Sequence, residues 1–205
     1  EIAAILQDEL DMTAMAHLTC SSASEEKIAA ALDDLQEKGI ENVLALRGDL
    51  IEGQTPSTRF RHATDLIPLL KERGFCVGAA AYPEAHPTMM DLDEDLKYLK
   101  AKQDAGADFF VTQLFFDNEC FYRFWDKAQA AGVTAPITCG IMPVMSKEQV
   151  QRMVFMCGVS LPGRIVKILN RYANDPESLR KASIEYAAEQ LIDLADHGVD
   201  GLHLY

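Results

Sequence analysis

The feature that most constrains the fold of this chain is a regular alternation of short apolar runs and helical patterns. Apolar runs begin near residues 15, 42, 75, 108 and 136, and a segment with helical periodicity follows each of them. The repeat of roughly 30 residues is that of a strand, a crossover helix and the next strand. Because parallel strands need crossovers of this kind, the alternation predicts an α/β fold with a parallel sheet.

The same pattern predicts where each element lies. Ser24 belongs to the residue types that cap helix N-termini, and Gly39 to the type that follows helix C-termini. Strands are expected at 15–19, 42–46, 75–81, 108–114, 136–142 and 200–205. Helices are expected at 1–10, 24–38, 59–73, 91–104, 118–131, 146–157, 162–173 and 177–197.

Two architectures are compatible with six such strands in one domain spanning residues 1–205. An open doubly wound sheet uses five or six strands, whereas a (β/α)8 TIM barrel uses eight. The chain opens on a helix, which would need a strand before it, and this favours a barrel whose first one or two strands are missing from the sequence. At the repeat length above, we expect about 60 further residues before residue 1 in the native protein.

Composition excludes several classes of function. The formal net charge is −13, and no run of Lys or Arg is present, so nucleic acids and anionic membranes are poor partners. No apolar run reaches 18 residues, so we expect no membrane span, and no signal peptide is expected either. The five cysteines form no C-x-x-C pair, which indicates reduced thiols and a cytoplasmic protein. No metal site is expected, because no His, Cys or carboxylate cluster has ligand spacing.

Polar and aromatic residues lie within or directly after the predicted strands. The strands themselves contain His17 and Gln113, and the residues that follow strand ends are Arg47-Gly48-Asp49, Tyr82 and His86. In both architectures ligands bind at the carboxyl ends of the strands. Because G-x-G-x-x-G, P-loop and G-x-S-x-G motifs are absent, these residues indicate a site for a planar cofactor that supplies its own reactivity.

Each of these residues also has a purely structural interpretation. Arg47 and Asp49 could form an ion pair within a turn. Tyr82 and His86 could pack a proline-ordered loop, and Gln113 could cap a neighbouring backbone group.

Five segments resemble one known family in their order and spacing: "AHLTC" (16–20), "ALRGD" (45–49), "AAYPEAHP" (80–87), "DAGADFFVTQLFFD" (104–117) and "GIMPV" (140–144). The family is methylenetetrahydrofolate reductase, and the terminal "GLHLY" resembles its last strand. The resemblance covers essentially the whole chain. It implies a (β/α)8 barrel that binds FAD non-covalently. It also implies that NADH or NADPH reduces the flavin, which then passes hydride to 5,10-methylenetetrahydrofolate.

The resemblance also implies roles for individual residues. Asp49 would be catalytic, because its charge near the flavin and the pterin favours a cationic 5-iminium substrate. Gln113, Gln149 and Met153 would bind folate or nicotinamide together with Asp49. The FAD contacts would be His17, Arg47, Gly48, Asp49, Ala63, Tyr82, His86, Asp95 and Lys102.

Three departures from the family pattern leave alternatives open. The family's general-acid Glu would precede residue 1. Met153 stands where familiar bacterial members carry a Phe, and Tyr98 and Ala101 replace polar flavin contacts. A partner protein could therefore supply electrons in place of NAD(P)H. An accessory FAD-binding barrel subunit is the main alternative function, and another FAD barrel, such as a proline dehydrogenase-like enzyme, is the third. A homo-oligomer is expected.

Overall fold

A computed structural model describes residues 2–50 and 52–205, and within these ranges the chain forms six strands and eight helices. The strands are β1 (Met15–Thr19), β2 (Asn42–Leu46), β3 (Cys76–Ala81), β4 (Phe109–Thr112), β5 (Ile137–Ile141) and β6 (Gly201–Leu204). The helices are α1 (Ile2–Leu10), α2 (Glu25–Glu37), α3 (Ala63–Glu72), α4 (Leu92–Asp104), α5 (Asn118–Ala130), α6 (Lys147–Cys157), α7 (Gly163–Arg171) and α8 (Pro176–Asp196).

The predicted elements are all present, and local chemistry explains where several of them begin. Ser24 caps α2, since its side chain accepts a hydrogen bond from the amide of Lys27. Short polar side chains cap α5, α6 and α8 in the same way, namely Asp117, Ser146 and Asp175. Each cap satisfies one of the amides that a helix N-terminus leaves without an intrahelical partner.

The strand order distinguishes the two architectures. The six strands are hydrogen-bonded in the order β1-β2-β3-β4-β5-β6, and the pairs β1/β2, β2/β3 and β5/β6 are parallel. A doubly wound sheet reverses its strand order at a switch point, whereas a barrel sheet follows chain order. The α/β class is therefore confirmed, and the fold is TIM-barrel-like. The strands expected before residue 1 stay a prediction.

Two compact units make up the described chain. The first contains the residues up to Ala80 together with Ala101–Phe110, and the second contains Ala81–Lys100 and Val111–Tyr205. The core of the first unit is made of large buried side chains from α2, α3 and β2. The core of the second unit includes Leu114, Phe116, Val150, Ile165 and Leu179. The assignment of residues 1–205 to one domain stays a prediction.

Two further findings bear on the composition. No helix in the described ranges is long and apolar enough to cross a membrane. None of the five cysteines forms a disulfide in the described ranges, and Cys20 and Cys139 are fully buried.

Candidate cofactor and substrate site

The first unit joins the carboxyl ends of β1 and β2. The amides of Cys20 and Ser21 both donate to the carbonyl of Arg47, at 3.1 and 2.7 Å. The Ser21 hydroxyl donates to the carbonyl of Asp49 at 3.4 Å. The Arg47-Gly48-Asp49 turn is thereby held against the end of β1, while Arg47 and Asp49 themselves are exposed.

Gly48 is required in this turn for two reasons. Its φ is +77°, which is a left-handed conformation that other L-residues adopt at a cost. A Cβ atom at this position would also lie 2.8 Å from the Cβ of Thr19. The turn therefore packs directly against the end of β1.

Ala63 and Lys102 also belong to the first unit. Ala63 is the buried first residue of α3, and the Asp65 carboxylate accepts from the amides of Arg61 and His62 just before it, at 2.9 Å each. Lys102 lies in the last turn of α4, where its ammonium donates to the carbonyl of Ala80 in β3 at 2.8 Å. These contacts fix Lys102 beside β3 and fix the start of α3.

His17 is an exposed residue of β1 whose register partner in β2 is Leu44. Cys20 follows β1, and burial is the main reason that the pKa of its thiol is raised to about 11, with the Asp65 carboxylate adding to the effect. The thiol is therefore protonated at neutral pH and does not act as a nucleophile there.

The second unit contains the loop that joins β3 to α4. The rings of Tyr82 and His86 meet edge to face with centroids 4.8 Å apart. The amide of His86 donates to the buried Asp95 carboxylate at 3.3 Å. Ala85, between the two rings, has a φ of +69°, and its amide donates to the carbonyl of Tyr82 at 3.1 Å. The loop thus brings Tyr82, His86 and Asp95 together.

A carboxylate that the sequence analysis did not single out holds this loop. Both oxygens of Glu84 accept from the amide of Ser160, at 3.2 and 3.0 Å. A Cβ at Gly158 would lie 3.5 Å from the side chain of Pro87, so the same two segments also touch there. Residue 160 follows α6, and the contact therefore ties the Tyr82–His86 loop to the end of that helix.

Gln113 follows β4 and is held by its own backbone. Its amide N–H donates to the carbonyl of Ala81 at 2.8 Å, and its side-chain Oε1 accepts from the amide of Leu114 at 3.0 Å. Among the residues that the structure describes, none accepts from its side-chain Nε2. A hydrogen-bond donor is therefore available beside the ends of β3 and β4.

The two predicted residues of α6 have local partners. The Gln149 side chain accepts from the amide of Met145 at 2.7 Å, and its Nε2 lies 3.5 Å from the sulfur of Met142. Met153 is partly buried against the apolar core of the second unit. Both residues lie on α6. Gln149 would have to give up its contacts with Met145 and Met142 before its side chain could bind a ligand.

The last strand adds a contact at the end of β4. The hydroxyl of Tyr205 donates to the carbonyl of Thr112 at 2.7 Å, and the amide of Gly140 donates to the Thr112 hydroxyl at 2.8 Å. Thr112 is fully buried and directly precedes Gln113. The second unit therefore fixes the backbone that carries the Gln113 amide.

The geometry separates the predicted residues into two sets, one in each unit. The first unit contains His17, Arg47, Gly48, Asp49, Ala63 and Lys102. The second unit contains Tyr82, His86, Asp95, Gln113, Gln149 and Met153. In each unit, three of the six members lie just beyond the carboxyl end of a strand. They are Arg47, Gly48 and Asp49 in the first unit and Tyr82, His86 and Gln113 in the second.

Comparison with known proteins places all of residues 1–205 in the family model described as methylenetetrahydrofolate reductase. The chain is 38% identical over 202 residues to the 5,10-methylenetetrahydrofolate reductase of Pectobacterium carotovorum subsp. carotovorum, covering 98% of this chain and 67% of that protein. It is 36% identical over 221 residues to methylenetetrahydrofolate reductase (NADH) 1 of Arabidopsis thaliana, covering all of this chain but 37% of that protein. The chain therefore spans little more than a third of the plant relative.

One solved structure resembles the fold. It is an uncharacterized protein from Clostridium thermocellum, described as binding two copies of 5-methyl-5,6,7,8-tetrahydrofolic acid. The TM-score is 0.58 with 16% sequence identity, and the match covers 98% of this chain and 70% of that chain. At this identity the likeness supports the fold alone.

Proposed function

Because the chain belongs to the methylenetetrahydrofolate reductase family, we propose that it is the catalytic barrel of an enzyme that reduces 5,10-methylenetetrahydrofolate to 5-methyltetrahydrofolate. The proposal depends mainly on the family match, which extends over the whole chain. The matched region contains Asp49, which lies in a tight turn, and Gln113, whose side chain has an available hydrogen-bond donor.

FAD is the cofactor that this reaction would use. When bound, it accepts hydride from a nicotinamide and delivers it to the folate. The residues present fit such a group, because Arg47 and Lys102 supply positive charge that suits its phosphates. The remaining contacts would come from His17, Asp49, Ala63, Tyr82, His86 and Asp95.

Asp49 would act on the substrate through its charge. Ring opening of the bridging methylene gives a 5-iminium cation, and a fixed carboxylate nearby stabilises positive charge that develops there. The turn holds the Asp49 backbone, so little reorganisation would accompany the reaction.

Gln113 would orient the pterin. Its Nε2 is available to donate to a carbonyl or ring nitrogen of the substrate, while its Oε1 stays bonded to Leu114. Gln149 and Met153 would line the nicotinamide and folate side, with Gln149 exchanging its bond to Met145.

The electron donor would be NADH or NADPH. The name of the Arabidopsis relative gives NADH for that protein. Met153 favours the alternative of a partner protein as donor, since a thioether gives a softer and less directional contact with a nicotinamide ring than an aromatic side chain. The second candidate is an accessory FAD-binding subunit without reductase activity, and Met153 is again the residue that favours it. Cytoplasmic location and homo-oligomer formation are further expectations.

The proposal is tested on the native full-length protein. Its visible spectrum should show bound flavin, released on denaturation as FAD, and NADH or NADPH should bleach that spectrum in the absence of oxygen. Asp49→Asn should keep the flavin but slow the folate half-reaction by roughly a hundredfold. Asp8→Asn, at an exposed position of α1, is the matched control and should leave both half-reactions unchanged. A colourless protein, or flavin that neither donor reduces, would contradict the proposal.

A further inference from the structure

One face of α8 places polar side chains among the buried positions of the second unit. Ser183, Tyr186 and Gln190 are 1%, 9% and 6% exposed, respectively. Their spacing of three and four residues puts them on one side of the helix. Because a buried polar group costs stability unless it is hydrogen-bonded, the partners of these side chains show what this face of α8 holds.

Tyr186 holds the segment that follows β4. Its hydroxyl donates to the carbonyl of Phe116 at 2.5 Å, and the two side chains pack in the same apolar cluster. The guanidinium of Arg164 lies over the Tyr186 ring, 5.1 Å from its centroid. Burial, to which the Asp117 charge adds, raises the pKa of the phenol, so the hydroxyl remains a donor at neutral pH. The segment held in this way begins with Gln113.

Gln190 ties the end of the same segment to α8. Its Nε2 donates to the side-chain oxygen of Asn118 at 3.0 Å, and the side-chain nitrogen of Asn118 donates to the Gln190 carbonyl at 3.0 Å. Asn118 is the first residue of α5. The backbone between Gln113 and α5 is therefore fixed to α8 at two places, Phe116 and Asn118.

Ser183 holds the segment that follows β5. Its hydroxyl oxygen accepts from the amide of Val144 at 2.5 Å, and both residues are almost fully buried. The next amide, that of Met145, donates instead to the side chain of Gln149 at 2.7 Å, and Met145 is exposed. Water can therefore replace Gln149 at the Met145 amide, whereas no water replaces a buried hydroxyl at the Val144 amide without cost.

We infer that Ser183 and Tyr186 are positioning residues for substrate binding, since they fix the segments that contain Gln113 and lead to Gln149. Tyr186 sets the position of Gln113, whose Nε2 is available to a ligand. Ser183 keeps the backbone before α6 in place while Gln149 exchanges its bond with Met145 for a bond with a ligand. Both act through another residue. The inference rests on the proposed function for the identity of the ligand, whereas the contacts of α8 do not depend on it.

Tyr186→Phe tests the inference, with Tyr122→Phe as the matched control. Tyr122 of α5 donates to the Asp193 carboxylate of α8 at 2.7 Å, so the control also removes one phenolic hydrogen bond involving α8 and keeps the ring. Because its acceptor is charged, the control should lower Tm at least as much as Tyr186→Phe does. The bond that it removes joins one helix to another, whereas the Tyr186 bond holds a segment that follows a strand.

Three quantities are measured on the native full-length protein at a temperature at which every variant is folded: kcat, the KM for methylenetetrahydrofolate, and the Kd of the apoprotein for FAD. Losing one neutral hydrogen bond changes an equilibrium by up to about tenfold, so Tyr186→Phe should raise the KM by about threefold to tenfold. Its Kd for FAD should stay at the wild-type value. The control should change neither constant. A KM for Tyr186→Phe equal to that of the control overturns the inference for Tyr186.

Ser183→Ala leaves the buried Val144 amide without its acceptor and should raise the KM for the ligand that Gln149 contacts. A double-mutant cycle with Gln149→Ala distinguishes positioning from a general loss of stability. Because Ser183 acts through Gln149, the double variant should have the KM of Gln149→Ala alone. Increases that add in the double variant overturn the inference for Ser183.

Amide hydrogen exchange separates the inference from the proposed function. Exchange should accelerate by about tenfold at Val144 in Ser183→Ala and across residues 113–117 in Tyr186→Phe, and Tyr122→Phe should leave both segments at wild-type rates. If the wild type forms no methyltetrahydrofolate, the proposed function fails, but accelerated exchange confined to these segments still supports α8 as the element that fixes them. Unchanged exchange in both segments overturns the inference whatever the enzyme does.

Discussion

Gly140→Ala is the substitution that most directly tests how the second unit supports the predicted substrate residue. Gly140 lies in β5 and a Cβ there would lie 2.6 Å from the carbonyl oxygen of Thr112 and 2.6 Å from the ring of Tyr205. The ring can move, but the carbonyl belongs to the backbone of β4 immediately before Gln113. The new methyl group must therefore displace either β4 or β5.

The expected loss of stability follows from these contacts. Forcing a methyl group into a filled site costs about 1–3 kcal/mol. Displacing the Tyr205 hydroxyl from the Thr112 carbonyl removes a hydrogen bond of 2.7 Å, worth about 1 kcal/mol. The reduced freedom of the unfolded chain returns about 0.4–1 kcal/mol. The net loss is about 1–3.6 kcal/mol, which for a chain of this size lowers Tm by about 2–14 °C.

The assay is thermal unfolding of the native protein, followed by steady-state kinetics below the transition. Gly163→Ala, at the first residue of α7, is the matched control because a Cβ there meets nothing within 4 Å. The control should keep or slightly raise Tm. Since Gln113 directly follows β4, Gly140→Ala should also raise the KM for methylenetetrahydrofolate more than the KM for the donor. A Tm for Gly140→Ala within a degree of the wild type would refute the packing argument.

Three further perturbations have defined outcomes. Gly48→Ala should weaken FAD binding and lower Tm more than Gly53→Ala does. Both glycines have positive φ, but only at Gly48 would the new Cβ meet Thr19, the last residue of β1. Equal losses of FAD affinity and of Tm in the two variants would contradict this. Glu84→Ala should raise the Kd for FAD several-fold, because it releases the Tyr82–His86 loop from Ser160. Glu84→Gln keeps an acceptor for the Ser160 amide and should therefore retain most of the affinity. Equal Kd values for the two variants would contradict a role for this contact. Burial raises the pKa of the Cys20 thiol to about 11, so the unfolded state releases this proton first and the free energy of unfolding should fall between about pH 8.5 and 11. A Cys20→Ala variant with the same dependence on pH would argue against that assignment.

The sequence predicted the order and type of the elements because strand and helix periodicities are local signals. It placed the start of α3 near residue 59, whereas the helix begins at Ala63. The helix begins later because Phe60 is buried and because the Asp65 carboxylate accepts hydrogen bonds from the amides of Arg61 and His62. This arrangement caps the helix without the usual Ser or Thr, so the sequence pattern did not reveal it. β4 ends at Thr112 because the side chain of Gln113 caps the next amide.

The strand order could not be read from periodicity. An open sheet and a barrel sheet have the same alternation of strands and helices, and the difference lies in pairings between distant segments. The consecutive order of the six strands distinguishes them.

The part of the candidate site that one short sequence motif encodes was predictable. The Arg47-Gly48-Asp49 turn follows β2 directly, and its glycine has the positive φ that a tight turn requires. The bond from Ser160 to Glu84 was missed because 76 residues separate the partners, and no local pattern records such a contact. The assignment of individual residues to FAD, folate or nicotinamide stays a prediction.

The central claim is that this barrel passes the electrons of a nicotinamide to a folate. A single-turnover experiment tests it most directly: the native holoprotein is reduced anaerobically with one equivalent of NADH or NADPH, mixed with 5,10-methylenetetrahydrofolate, and the product is quantified by mass spectrometry. The account predicts one 5-methyltetrahydrofolate per reduced flavin, formed as the oxidised flavin spectrum returns. A flavin that stays reduced in the presence of the folate, with no methyltetrahydrofolate formed, would contradict it.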